Sequence, residues 1–170
     1  MWQKRSNILI LLAVVASILL GAVSCENGCE QMRESFMHIT FTGSTSRSLR
    51  GVSIDAYGRK TNEATYELAL QYSTAKVTKY ENIELELNPN DSIVAFLLHF
   101  DYQDYGDNFQ ANDTVLIFYH ANGRFLDMEC GCTVDYEIKE VTSTKNLLED
   151  IQITDPVIHT ESGINLELIY

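Results

Sequence analysis

Basic residues are scarce in this chain: 12 Lys and Arg stand against 24 Asp and Glu, for a formal charge of −12. A phosphate backbone is held by clustered Lys and Arg, so nucleic acid is excluded as a partner. Electrostatic attraction to anionic lipid head groups is excluded on the same ground. Proline occurs only at Pro89 and Pro156, and no Ser/Gly-rich linker, internal repeat or low-complexity tract is present. That absence leaves one domain as the expectation. The chain also lacks H-E-x-x-H, G-x-S-x-G, C-x-x-C, a phosphate loop and a dinucleotide fingerprint. Each missing motif removes a familiar chemistry. His38, His99, His120 and His159 are scattered without ligand spacing. Strand neighbours satisfy such side chains more often than metals do, so neither metal nor cofactor is expected.

Only one long apolar run exists, from Ile8 to Leu20. It follows Lys4 and Arg5 and precedes Gly21-Ala22-Val23-Ser24 and Cys25. A membrane-spanning helix needs ~20 apolar residues, so this shorter run reads as the core of a bacterial signal peptide. The small residues before Cys25 make a lipobox, with Ala22 where Leu is commoner. Residues 1–24 are therefore expected to be removed and Cys25 to carry lipid, palmitate included. The alternatives are an uncleaved membrane helix or a signal cut elsewhere. Cleavage takes away two bases and no acid, so the mature chain is more acidic still. Residues 25–34 read as the lipidated start and a short tether, and residues 35–170 as a single domain.

Export would put Cys29, Cys130 and Cys132 in an oxidising compartment. Cys130 and Cys132 lie two apart on one strand face and are poorly placed to bond each other. Cys29 is left to pair with either. Such a bridge closes a loop of about 100 residues, worth ~4 to 5 kcal/mol in the chain-entropy model. Zinc held by these thiolates and a His is less favoured, because zinc ligand pairs are usually spaced more widely and exported thiols oxidise.

Period-two alternation runs through most of the body. Ile83, Leu85 and Leu87 alternate with Glu84 and Glu86, and Val134, Tyr136 and Ile138 alternate with Asp135, Glu137 and Lys139. The second series continues back through Cys132 and Cys130, which predicts both thiols on the core side. Further strands are expected at Phe36 to Thr42, Val52 to Tyr57, Tyr66 to Tyr72, Ile93 to Phe100, Val115 to His120, Leu147 to Thr154 and Ile164 to Tyr170. A helix competes only over Asn62 to Lys76, where period two still favours a strand. Turns are expected at Asn88 to Asp91, Asp104 to Asn108, Ala121 to Gly123 and Glu161 to Gly163. The class is thus all-β, an antiparallel β-sandwich of about eight or nine strands, with a small β-barrel as the alternative.

The order of landmarks resembles a family of small uncharacterised lipoproteins of Bacteroidota, one of the domain-of-unknown-function families. The landmarks are Cys25, Cys29, Leu87-Asn88-Pro89-Asn90, Glu129-Cys130-Gly131, Thr144-Lys145-Asn146, Ile151-Gln152-Ile153 and a closing apolar strand. The resemblance implies a Cys29–Cys130 disulfide and leaves Cys132 as a free thiol outside the family pattern. It implies no activity. It also gives Asp91-Ser92-Ile93 and Asp113-Thr114-Val115 the form of an O-glycosylation acceptor, with Ser92 and Thr114 as the modified residues, although a turn uses the same residue types. Surface lipoproteins of that group carry a tight acidic run after the lipidated cysteine. Here Glu26 and Glu30 are isolated, which favours the periplasmic side of the outer membrane.

The segment from Asp101 to Phe109 is the candidate ligand or partner loop, through Asp101, Tyr102, Asp104, Tyr105, Asp107 and Phe109. Its acids could offer oxygens to Ca²⁺ and its rings could stack on a sugar or a protein partner, although the spacing is not that of an EF-hand. The functional expectation is a lipid-anchored, non-catalytic binding, assembly or structural module. A surface glycan-binding or adhesive module is the first alternative. An enzyme whose site is assembled from distant strands is the second.

Overall fold

Alternation of apolar and polar residues dictates the architecture seen in a computed structural model, which describes residues 35–43, 47–59, 68–78, 82–127, 131–160 and 163–170. The described residues form ten strands and no helix. In chain order these are β1 (Met37–Thr42), β2 (Arg47–Arg59), β3 (Leu68–Ser73), β4 (Ile83–Leu85) and β5 (Ile93–Asp104), followed by β6 (Asp107–Asp127), β7 (Gly131–Ser143), β8 (Asp150–Ile153), β9 (Val157–Ile158) and β10 (Leu166–Ile169). They build a four-stranded sheet, β4-β1-β10-β8, and a six-stranded sheet, β3-β2-β5-β6-β7-β9. Both sheets are open, so the barrel alternative is not taken up and the all-β sandwich is. The edge strands β4 and β9 are only three and two residues long. Short edges offer little template for pairing with another chain.

The core lies between the sheets. Met37, Ile39 and Phe41 of β1 meet Val52 and Ile54 of β2, with Phe96, Leu98 and Phe100 of β5, and all are buried. Phe41 and Phe100 touch edge to face across the gap, with ring centroids 5.8 Å apart. At the chain end, Leu166, Leu168 and Tyr170 fill the same core.

Three details depart from the sequence reading. The β1 to β10 pairing is parallel, from Ile39 opposite Leu166 to Thr42 opposite Ile169, whereas the other strand pairs are antiparallel. The expected turn at Ala121 to Gly123 is strand, because β6 continues and Gly123 pairs with Val134 of β7. Leu147 and Leu148 are buried yet precede β8 rather than belonging to it. The Asp113 carboxylate, itself buried, holds that segment. Its Oδ1 accepts from the Thr144 hydroxyl at 2.7 Å and the Asn146 N–H at 2.8 Å; its Oδ2 accepts from the N–H groups of Leu147 at 2.7 Å and Leu148 at 2.9 Å.

The two ends of β5 define two poles. At one, residues 86–92 lead into the strand; at the other, the Tyr105-Gly106 turn joins it to β6. Tyr105 and Gly106 have φ of 47° and 96°, the left-handed pair that a tight two-residue hairpin requires. The eleven steps between its twelve residues, at about 3.3 Å each, put the poles roughly 36 Å apart. The chain enters β1 at the first pole, where Ser35 and Phe36 line a hollow with Leu87 and Pro89.

Candidate functional site

Positions of β2, β5 and β6 that point away from the core carry polar side chains toward the hairpin pole. Facing pairs across β5 and β6 are His99 with Asn112, Asp101 with Gln110, and Gln103 with Asn108. Across β5 and β2, His99 faces Ser53 and Asp101 faces Gly51. Arg50 is the extra residue where the β2 register shifts between Leu49 and Gly51. A bulge of this kind re-aims a side chain, and here the Arg50 Nη2 reaches Gln103 Oε1 at 3.2 Å.

Lys76 arrives from outside the sheet. After β3 ends, the Thr74 N–H donates to Ile54 O at 2.8 Å, and Val77 pairs with Val52 through bonds of 3.0 and 2.8 Å. This strap lays the Lys76 stem across Gly51, where a Cβ would stand 2.0 Å from Lys76 Cε. The ammonium then bonds to Asp101 Oδ2, while Gln110 Nε2 donates to Asp101 Oδ1 at 2.8 Å. Lys76 is the first cause, and Gln110 the second, that holds the Asp101 carboxyl below its usual range.

His99 stands between Asn112 and Asp55, with Nδ1 3.0 Å from Asn112 Oδ1 and Nε2 3.1 Å from Asp55 Oδ2. The expected reading of a strand histidine satisfied by its neighbours is therefore correct for His99. A hydrogen bond from Ser73, then one with His99, holds the Asp55 carboxyl below its usual range. A carboxyl whose folded value is depressed contributes stability above its unfolded value, and that contribution is lost as pH falls through the folded value. Wild type should thus exceed Asp55→Asn in stability above the ordinary carboxylate range, and the small gap should shrink as pH falls below that range in urea melts.

These side chains border two adjoining hollows of about 610 and 360 Å³ that share Lys76, Asp101 and Gln110. Tyr102 and Phe109 close the larger at the hairpin end. They face each other across β5 and β6 and stack, with centroids 5.6 Å apart and planes 26° apart. Phe109 remains 46% exposed.

The candidate segment of Asp101 to Phe109 is therefore a hairpin continuing two strands, not a free loop. Its acids do not converge. Asp101 turns outward to Lys76, Asp104 sits on the core-facing side with Arg47 Nε at 3.6 Å, and Asp107 is exposed across the turn from Asp104. The oxygens expected for Ca²⁺ are thus divided between two faces. Tyr105 is 91% exposed at the tip. Sequence reasoning missed Arg50, Lys76, Gln110 and Asn112, which come from separate segments. Outward polarity at alternate positions 108, 110 and 112 was the one signal available.

Other expected sites lie elsewhere. Cys25, Cys29 and Cys130 fall outside the described residues. Cys132 is free but exposed, contrary to the buried thiol expected, since it lies opposite the exposed Phe125 beyond the covered part of β7. Ser92 is exposed and Thr114 half-buried. The preceding acids have structural work: Asp91 accepts the N–H groups of Arg59 and Ser92, each at 2.7 Å, and Asp113 holds the segment before β8.

At the opposite pole, three tyrosines grip consecutive carbonyls. Tyr72 donates to Glu86 O at 3.2 Å, Tyr136 to Leu87 O at 3.0 Å and Tyr119 to Asn88 O at 2.9 Å. Burial pushes the Tyr72 hydroxyl up to about 12 and raises Tyr119 and Tyr136. All three act as neutral donors, which gives the Leu87-Asn88-Pro89 landmark a structural reason.

A family model, that of the family of unknown function DUF6452, matches residues 57–170. The chain belongs to that family. No curated protein and no solved structure matches it. The DUF6452 match takes in Lys76, His99, Asp101, Gln103, Gln110 and Asn112, whereas Arg50 and Asp55 precede it.

Proposed function

We propose that the protein is a non-catalytic binding module of a bacterial outer membrane, of the Bacteroidota type, held by lipid on Cys25 and facing the periplasm. The Cys29–Cys130 bridge belongs to the same reading. What carries it is the opposition of the two poles. The chain enters beside Leu87 and Pro89, and the polar groove lies toward the hairpin, roughly 20 to 30 Å away along β5. A domain tethered at its entry would therefore present the groove away from the lipid. The groove holds its charges in pairs, Lys76 with Asp101 and His99 with Asp55.

Anchoring is tested by Cys25→Ala in the full chain. The wild type should carry fatty-acid mass and lack residues 1–24, and the variant should lose the fatty-acid mass. A wild type without that mass would overturn lipid anchoring. Protease added to intact cells reports the side faced, with survival of the wild-type protein expected.

A further inference from the structure

We propose that the groove on the outer face of β2, β5 and β6 binds a neutral oligosaccharide, with its hydroxyls held by Asp101, Asn108, Gln110 and Asn112. This rests on the reading of the protein as a binding module and names the ligand class. Four observations carry it.

The groove is formally balanced within a chain of charge −12: Arg50 and Lys76 are matched by Asp101 and by Asp55 behind His99. A balanced site has no net attraction for an anion or a cation. The central strand beneath it, β5, is paired on both sides, with β2 and with β6. Above this strand recognition falls to side chains. Those side chains are planar carboxylate and amide groups, which present two polar atoms at once and bridge adjacent hydroxyls. They form a grid about 7 Å along each strand and about 4.8 Å between strands, the scale of a sugar ring. At the hairpin end Phe109, stacked on Tyr102, borders the larger hollow and adds apolar surface there.

The test uses the full chain in a zwitterionic detergent without a sugar head group. Maltohexaose, cellohexaose, laminarihexaose and N-acetylchitohexaose are titrated at up to about 5 mM, a range that captures weak sites. Saturation-transfer NMR and calorimetry read the binding. At least one neutral hexasaccharide should bind, and Asn108→Ala and Gln110→Ala should each weaken it about tenfold, the size of one lost hydrogen bond to a well-placed group. Both variants should keep the wild-type melting temperature. Silence across the neutral panel, tighter binding of a sulfated hexasaccharide, or binding that both variants leave unchanged would each overturn the proposal. A photo-cross-linker at Asn108 in cells separates the two levels of failure. A protein adduct without sugar binding removes the oligosaccharide and keeps a binding groove; neither adduct nor sugar binding removes both.

Discussion

Asp113→Ala should destabilise the protein by about 3 to 5 kcal/mol, read as a fall in the urea midpoint at unchanged slope. Asp113 is 1% exposed, and its carboxylate accepts four hydrogen bonds from Thr144, Asn146, Leu147 and Leu148. Alanine leaves three backbone N–H groups and a hydroxyl without their acceptor. Each buried donor left unpaired costs about 1 to 3 kcal/mol before relaxation. Leu147 and Leu148, buried at 3% and 2%, lose the tether that seats them in the core. Asp113→Asn keeps the shape and removes the charge and one acceptor oxygen. Its amide turns an N–H pair toward two donors, so it should recover less than half of the loss. Full rescue by asparagine would show that the charge and the second acceptor are unimportant.

Phe100→Ala should cost about 3 to 5 kcal/mol, the range for removing a buried aromatic ring from a packed core. The ring is 1% exposed and meets Phe41 of the opposing sheet edge to face at 89°. Its loss opens a cavity at the seam between the sheets, where collapse from one side requires both sheets to shift. Phe100→Leu fills most of that space and should cost far less, about 1 kcal/mol or a little more. Equal losses for the two variants would mean that the seam is loosely packed.

Strand positions were legible because one face of each strand is covered by the other sheet. Ile83, Leu85 and Leu87 against Glu84 and Glu86 print that coverage directly as alternation, and β3 kept a strand's period against a composition that suits a helix. The continuous run Ile93 to Leu98 reads as covered on both faces, yet Ile93 and Leu97 are only half-buried. Features that depend on which strands meet were not legible. Nothing local to Met37–Thr42 or Leu166–Ile169 encodes that they pair in parallel. Gly123 carries the local chemistry of a turn, yet pairing with Val134 across β7 decides its conformation. The candidate surface was found at its hairpin end, from Asp101 to Phe109, and missed at its flank. Arg50 enters through a register shift and Lys76 through a strap across Gly51, and both are consequences of tertiary pairing. Cys132 misled because parity names a face, while burial also needs something to cover that face.

The parallel pairing of β1 with β10 sets the order in which this domain can be completed. His38 and Asn165 exchange backbone and side-chain bonds across 127 positions, and the Tyr170 N–H closes on Thr42 O. The centre of the four-stranded sheet therefore stays open until the last residues of the chain are present. Contacts of such sequence separation form slowly, because a long loop must close before they give anything back. The four-stranded sheet is thus completed by joining the two ends of the domain, Met37–Thr42 and Leu166–Ile169, side by side.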